Sequence, residues 1–198
     1  IGFAGMDDKR IAAGGGHLWV ANTDGEDVPG RVTRVDLATN KVSSSIPVGR
    51  FPASVVFGAG SVWVANYGEG TVSVIEAGSR EVTSIAVGPR PITITAGSGS
   101  IWVGLFDGSS VVRIDPVRKR VVARIPVGKG LWGMAAGRGA IWVANRDSST
   151  LSRIDTRTNR VVETVPLAAP PYGLAVARGR LWVTTQKCGS PEVVCSSS

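Results

Sequence analysis

Few side chains of this 198-residue chain have the chemistry of a catalytic or metal site. The single histidine is His17, and the two cysteines, Cys188 and Cys195, do not form a CxxC motif. General acid–base catalysis needs a positioned group of suitable pKa, and a structural zinc ion needs several clustered Cys or His ligands. We therefore predict no catalytic residue, no metal site and no cofactor, and we expect that the domain is not an enzyme.

The acidic residues Asp36, Asp115 and Asp155 recur at one place in a repeated R-[IV]-D motif. Asp at the end of a strand commonly accepts hydrogen bonds from the backbone just ahead and so stabilises a turn. Metal binding is the alternative role for these carboxylates. It requires them to lie together, whereas their spacing places one carboxylate in each repeat, so we predict turn caps.

The two cysteines flank the short segment Gly189-Ser190-Pro191. A disulfide between Cys188 and Cys195 is geometrically reasonable across such a hairpin and would favour an oxidising, extracytoplasmic location. The alternative is two free thiols in a reducing compartment. We expect the bridge.

The formal charge of +7 suggests an anionic partner only if the basic residues gather on one face. They instead recur around the repeats, at Lys41, Arg80, Arg118 to Arg120, Arg157 and Arg160. This distribution favours a solvated collar over a polyanion site, and we predict no nucleic-acid partner. The chain also has no apolar run long enough to cross a bilayer. We expect no membrane insertion by this segment, while an anchor can lie outside it.

The elements that must position these side chains are repeated strands. Five tryptophans recur every 39 to 44 residues, at Trp19, Trp63, Trp102, Trp142 and Trp182. Each lies in a similar segment, such as GGGHLWVAN, GAGSVWVAN and GRGAIWVAN. β-Branched residues alternate with polar ones, and Gly, Asn, Asp or Pro separate the runs, so the pattern is typical of strands. In the second copy it predicts strands over 53–57, 61–66, 71–75 and 81–87.

Four-stranded units of about 40 residues are typical of propeller blades. We predict an all-β protein that forms one β-propeller domain over residues 1–198, with five four-stranded blades. The blades are expected at about 6–49, 50–88, 89–128, 129–168 and 169–198 plus 1–5. Residues 1–5 would pair beside Val193 and Val194, so that both termini close the last blade. A fragment of a six- or seven-bladed ring is the competing interpretation.

The segments G-x-G-x-[ILV]-W-V-x-N and R-[IV]-D-x-x-T-x-x-V resemble the YVTN and NHL-type propellers, particularly the streptogramin (virginiamycin B) lyase-like group. The resemblance implies a propeller and suggests an extracytoplasmic sensor domain, as in actinobacterial serine/threonine kinases. The lyase uses histidines, a carboxylate and magnesium. His17 stands where other copies have Ser61, Ser100, Ala140 and Arg180, so no catalytic residue is carried over.

Loop residues that differ between the copies are the best candidates for binding. The connections between blades, and those between the second and third strands, share one face of a propeller. That face should present Arg50, Phe51, Tyr67, Arg90, Phe106, Lys129, Trp132, Arg146 and Tyr172. We predict a non-enzymatic recognition or sensor propeller, the extracytoplasmic domain of a larger receptor or binding protein, which binds an anionic or sugar-like ligand or a protein through this face. The alternatives are a lyase-like, metal-dependent enzyme and, for Phe51, Phe106 and Trp132, simple filling of the central channel.

Overall fold

The computed structural model describes residues 10–23 and 28–185, and all their regular structure is β-strand. The strands of the first two blades are β1 (Ile11–Gly14), β2 (His17–Asn22), β3 (Pro29–Asp36), β4 (Lys41–Arg50), β5 (Pro52–Gly58), β6 (Ser61–Asn66), β7 (Thr71–Glu76) and β8 (Val82–Ala86). The remaining strands are β9 (Pro91–Gly97), β10 (Ser100–Leu105), β11 (Ser110–Asp115), β12 (Arg120–Pro126), β13 (Leu131–Gly137), β14 (Ala140–Asn145), β15 (Thr150–Asp155), β16 (Arg160–Pro166), β17 (Pro171–Ala177) and β18 (Arg180–Thr185). No helix that could span a bilayer occurs in these two ranges.

The strands form four antiparallel sheets of four strands each and one two-stranded sheet, β17–β18. We call these sheets blades 1 to 4 and the partial blade 5. In every blade the strands follow chain order, and the first strands β1, β5, β9, β13 and β17 pack side by side. The first strand of each blade therefore lies innermost, as in a propeller. No comparable packing joins β17 to β1 in the described part of the chain.

This architecture confirms the predicted all-β propeller class. The strands of blade 2 agree with the prediction to within one residue at each end. The described blades number four complete ones and one of two strands, whereas five four-stranded blades were expected. Residues 1–5, Val193, Val194, Cys188 and Cys195 lie outside the described residues, and so do the predicted closure and disulfide.

The hydrophobic core lies between successive blades. Trp19, Trp63 and Trp102 are fully buried, and each packs against apolar residues of the following blade. Trp142 packs against the two strands of blade 5 and is half-buried. Trp182 is 59% exposed because no further described blade follows it. The scaffold role predicted for these tryptophans therefore depends on the neighbouring blade.

A glycine at the end of the first strand in blades 1 to 4 permits this close packing. At Gly97 an added Cβ would lie 2.6 Å from the Ala136 Cβ of the next blade. The Gly97 carbonyl also accepts a 3.0 Å hydrogen bond from the indole N–H of Trp102. Gly14 and Gly58 accept the equivalent bonds from Trp19 and Trp63. The Gly and the Trp of the repeated segment thus act together at the junction between blades.

Arginines of the third strands cover several of these tryptophans from the same sheet. Arg113 lies opposite Trp102 in the strand register, with its guanidinium carbon 5.1 Å from the ring centroid. Arg34 and Arg153 take the same position beside Trp19 and Trp142. In blades 1, 3 and 4 these arginines are therefore part of the scaffold through cation–π contacts. They are not among the basic residues predicted for the solvated collar.

Candidate functional site

One end of the described arc is formed by the connections between blades and by those between the second and third strands of each blade. We call this surface the loop face. It comprises residues 50–51, 67–70, 87–90, 106–109, 127–130, 146–149 and 167–170, together with the half-buried side chains of Trp132 and Tyr172 at the adjoining strand starts. Backbone hydrogen bonds join the two loops of a blade. The amides of Tyr67, Phe106 and Arg146 donate to the carbonyls of Phe51, Arg90 and Gly130 at 2.9, 3.0 and 2.9 Å. These bonds fix the backbone from which the side chains of the loop face extend.

A β-bulge near the start of the first strand recurs in blades 2 to 5 and re-aims one side chain in each. The bulged residues are Ala53, Ile92, Trp132 and Tyr172. Ala53 and Ile92 are buried, whereas Trp132 and Tyr172 are only half-buried. The same backbone device thus completes the core in blades 2 and 3 and presents aromatic rings at the surface in blades 4 and 5.

The aromatic residues of the loop face form two groups. In the first, the rings of Phe51 and Tyr67 lie 5.6 Å apart. In the second, Trp132 contacts Phe106 and Tyr172, with centroid distances of 6.1 and 6.0 Å and nearly perpendicular rings. Such edge-to-face contacts are favourable and hold the rings in fixed orientations. The second group spans blades 3 to 5, so it depends on the relative placement of three blades.

Arginines contact both aromatic groups. The guanidinium carbon of Arg90 lies 5.6 Å from the Tyr67 centroid, and that of Arg10 lies 5.8 Å from the Phe51 centroid. Arg146 lies between Trp132 and Tyr172, 5.2 and 4.9 Å from their centroids. Cations at these distances are attracted to the negative faces of the rings. Each aromatic group therefore has at least one positively charged guanidinium beside it.

Two cations of the loop face are neutralised within the chain. Arg90 forms a 3.2 Å ion pair with Asp107, and Arg50 lies 3.7 Å from Glu69 and donates to the Gly68 carbonyl. No ion pair of Arg146 or of the exposed Lys129 is found among the described residues. The uncompensated positive charge of the described loop face is therefore concentrated in blade 4.

Four described non-glycine residues of this face, Phe51, Arg90, Ser109 and Ser149, have positive φ values between 38° and 49°, in the left-handed region that favours glycine. The residue of blade 4 that is equivalent to Phe51 and Arg90 is Gly130, with φ of 68°. Seven further described non-glycine residues with positive φ lie in turns of the opposite end. This conformation therefore recurs in the turns of the propeller and does not by itself distinguish the loop face.

The structure places most of the predicted binding residues at the surface of the loop face, and Phe51 is the exception because it is buried. Tyr67, Phe106, Trp132, Arg146 and Tyr172 are half-buried at the surface, and Arg90 and Lys129 are exposed. Phe51 is buried at 7% exposure within the core. It supports the face from beneath, in agreement with the packing alternative for that residue.

Sequence reasoning missed Arg10. It stands nine residues before Trp19, where the other copies have Ser54, Thr93, Gly133 and Gly173. A basic residue at a position that is otherwise small was the signal that could have identified it.

The opposite end carries the three predicted turn caps. The carboxylate of Asp115 accepts hydrogen bonds from the backbone amides of Val117 and Arg118 at 2.9 and 3.0 Å. Asp36 and Asp155 accept equivalent bonds from the two residues at the same offsets. These bonds hold the pKa of each carboxyl below its usual value, with the amides of Thr39, Arg118 and Thr158 as the largest cause. The prediction of turn caps is confirmed.

His17 also lies at this opposite end, at the start of β2. One ring nitrogen is 2.7 Å from the Gly15 carbonyl, and the other is 3.8 Å from the Asp36 carboxylate. Within the described ranges no three His, Cys, Asp or Glu side chains cluster closely enough to hold a metal ion. Because His17 lies at the start of β2, it is at the opposite end of the blade from the loop face and its aromatic groups.

No protein family model and no curated protein matches this chain. Its fold is similar to those of solved β-propeller structures. Hydrazine synthase of Kuenenia stuttgartiensis has a TM-score of 0.73 and 21% identity over 87% of this chain and 53% of that one. Glutaminyl cyclase of Myxococcus xanthus has a TM-score of 0.58 and 15% identity over 92% and 87% of the two chains. Apo AztD of Citrobacter koseri has a TM-score of 0.63 and 13% identity over 83% and 48%.

The chain thus spans about half the length of the hydrazine synthase and AztD chains. At these identities the similarity establishes the propeller fold and no activity.

Proposed function

We propose that this propeller is a non-enzymatic recognition or sensor module whose loop face binds a ligand or a protein. The observation that carries the proposal is the difference between blades at the bulge. Trp132 and Tyr172 occupy positions that Ala53 and Ile92 fill in the core, so the scaffold does not require aromatic rings there. Large rings that are half-exposed beside an arginine are the residue types that contribute most to binding energy.

We also propose that the chain is related to a particular group of propellers. The repeated G-x-G-x-[ILV]-W-V segment and the R-[IV]-D turns resemble YVTN and NHL-type propellers of the streptogramin lyase-like group. Extracytoplasmic sensor domains occur among such propellers, and we propose the same location for this chain. The arrangement of His17, which is held by Gly15 and Asp36 away from the loop face, favours recognition over lyase chemistry.

The experiment is a binding screen against immobilised glycans and a peptide library, which compares the native chain with a loop-face variant. The variant combines Tyr67→Ala, Trp132→Ala and Arg146→Ala. A matched control combines Leu37→Ala, Val117→Ala and Arg157→Ala, because these exposed residues lie in turns of the opposite end. We expect ligands that bind the native chain and the control but not the loop-face variant.

Thermal unfolding separates binding from packing. Tyr67 and Trp132 pack partly on the core, so the loop-face variant should melt a few degrees lower and remain folded at the temperature of the screen. The proposal fails if the variant keeps the full affinity for every ligand of the native chain. It also fails if both variants lose binding equally.

A further inference from the structure

Arg146 is a cation that is held in place and has no side-chain acceptor among the residues that the structure describes. Its guanidinium lies beside the rings of Trp132 and Tyr172. In the described part of the chain it makes no ion pair and donates no side-chain hydrogen bond. Two rings therefore fix the group while its N–H donors stay available. A guanidinium stacked in this way can still present its planar edge to a carboxylate through two parallel hydrogen bonds.

Each of the two rings beside Arg146 carries a hydrogen-bond donor, the indole N–H of Trp132 and the hydroxyl of Tyr172. The indole N–H of Trp63 donates to a glycine carbonyl at 2.9 Å, whereas that of Trp132 has no partner within the described residues. The same is true of the Tyr172 hydroxyl. Neither atom is among the buried polar atoms that lack a partner, so water can reach both donors. An acceptor-rich ligand beside Arg146 can replace this water at several donors at once.

The chain itself shows which chemical group the loop face holds next to an arginine. In blades 2 and 3, Arg50 and Arg90 lie beside the carboxylates of Glu69 and Asp107. In blade 4 the position of Arg90 is taken by Gly130, against which Asp147 lies. Arg146 stands at the position of Tyr67 and Phe106. Arg146 and Asp147 form no ion pair among the described residues. An incoming Asp or Glu side chain would give Arg146 the kind of partner that Arg50 and Arg90 already have.

We propose that Arg146, with Trp132 and Tyr172 as its walls, binds a carboxylate of an acidic peptide segment of a partner protein. This inference rests on the proposed function of the loop face and names its partner chemistry. An extended acidic segment fits because Lys129, which forms no ion pair among the described residues, lies in the loop next to that of Arg146, where its amide donates to the Ser148 hydroxyl at 2.8 Å. Successive carboxylates can therefore meet two positive charges. Tryptophan, tyrosine and arginine are also the residues that dominate protein interfaces.

The test is isothermal titration calorimetry, in which an acetylated hexaglutamate peptide is added to the whole chain at low ionic strength. The uncharged probe is the matching hexaglutamine peptide. We expect binding of the first peptide only. Arg146→Gln should weaken it about 10- to 100-fold, since the variant loses hydrogen bonds to a charged group. Arg146→Lys should recover little, because lysine keeps the charge but lacks the two-pronged geometry.

The matched control is Arg157→Gln, which makes the same change in net charge at an exposed turn of the opposite end. It should bind the peptide as tightly as the native chain. Equal weakening by Arg146→Gln and Arg157→Gln would show nonspecific attraction and overturn the proposal. Absence of hexaglutamate binding by the native chain would also overturn it.

Two results separate this inference from the proposed function. If an oligogalacturonate binds with the same dependence on Arg146 and hexaglutamate does not, the partner is a sugar acid and the peptide proposal is wrong. If the screen yields neutral ligands that need Tyr67 and Trp132 but tolerate Arg146→Gln, the loop face is a recognition site and only the carboxylate proposal fails. Melting temperatures of both Arg146 variants within a degree of the native value would confirm that folding is intact.

Discussion

Replacement of Gly97 by alanine should destabilise the propeller by a predictable amount. The new Cβ would lie 2.6 Å from the Ala136 Cβ and 3.4 Å from the Ile141 Cδ1. The first distance is well inside van der Waals contact, and both obstructing atoms belong to the next blade. Overpacking of this kind costs about 1–3 kcal/mol. For a domain of this size each kcal/mol lowers Tm by about 2–4 °C, so Tm should fall by about 2–12 °C.

The assay is thermal unfolding followed by circular dichroism, with urea unfolding as a second measurement of the free energy. Gly78→Ala is the matched control, because an added Cβ at Gly78 meets no atom within 4 Å and its φ is not positive. We expect Tm of the control to be unchanged or slightly raised, since alanine reduces the entropy of the unfolded chain.

If Gly97→Ala melts within a degree of the native chain, the close approach of blades 3 and 4 at this glycine is refuted. The proposed reason for the repeated glycine is then refuted too. If both glycine variants fall equally, the effect is not one of blade packing.

The remaining predictions concern the opposite end. Arg113→Met should lower the free energy of unfolding by about 1–3 kcal/mol, because Arg113 donates to Ser100, Thr156 and Asn159 and so joins blades 3 and 4. Arg153→Met, which removes only a cation–π contact and a 3.7 Å ion pair, should cost clearly less in the same urea titration. Changing Asp36, Asp115 and Asp155 to Asn should flatten the fall of Tm between about pH 5 and pH 2. The pKa of each of these carboxyls is lower in the folded chain than its unfolded value of about 3.9. Each ionised carboxylate therefore stabilises the fold above that value, and the stabilisation is lost as pH falls through the folded pKa. Asn does not titrate, so the variant lacks this loss. An unchanged acid profile would contradict the role of the turn caps.

The amino-acid sequence by itself determined the blade. Its repeat puts a Trp at the same place in all five copies, a Gly five residues earlier in four of them and a capping Asp in three. These features act within one sheet or at one junction. The turn bonds of Asp115 extend only to the next three residues, so a local motif is enough to predict them. The loop face could also be inferred, because antiparallel strands in chain order place alternate connections at one end.

Only the tertiary structure decided which loop residues lie together in the candidate site. The sequence gives Phe51 and Trp132 the same status as variable aromatic residues, yet one is buried in the core and the other is half-exposed beside Arg146. The bulges, which lie between the paired strands of a blade, set these depths. The pairing of Arg90 with Asp107, and the absence of a partner for Arg146 in the described chain, depend on distances between loops 17 or more residues apart. Sequence spacing does not encode such distances, because they arise only when the blades pack against one another.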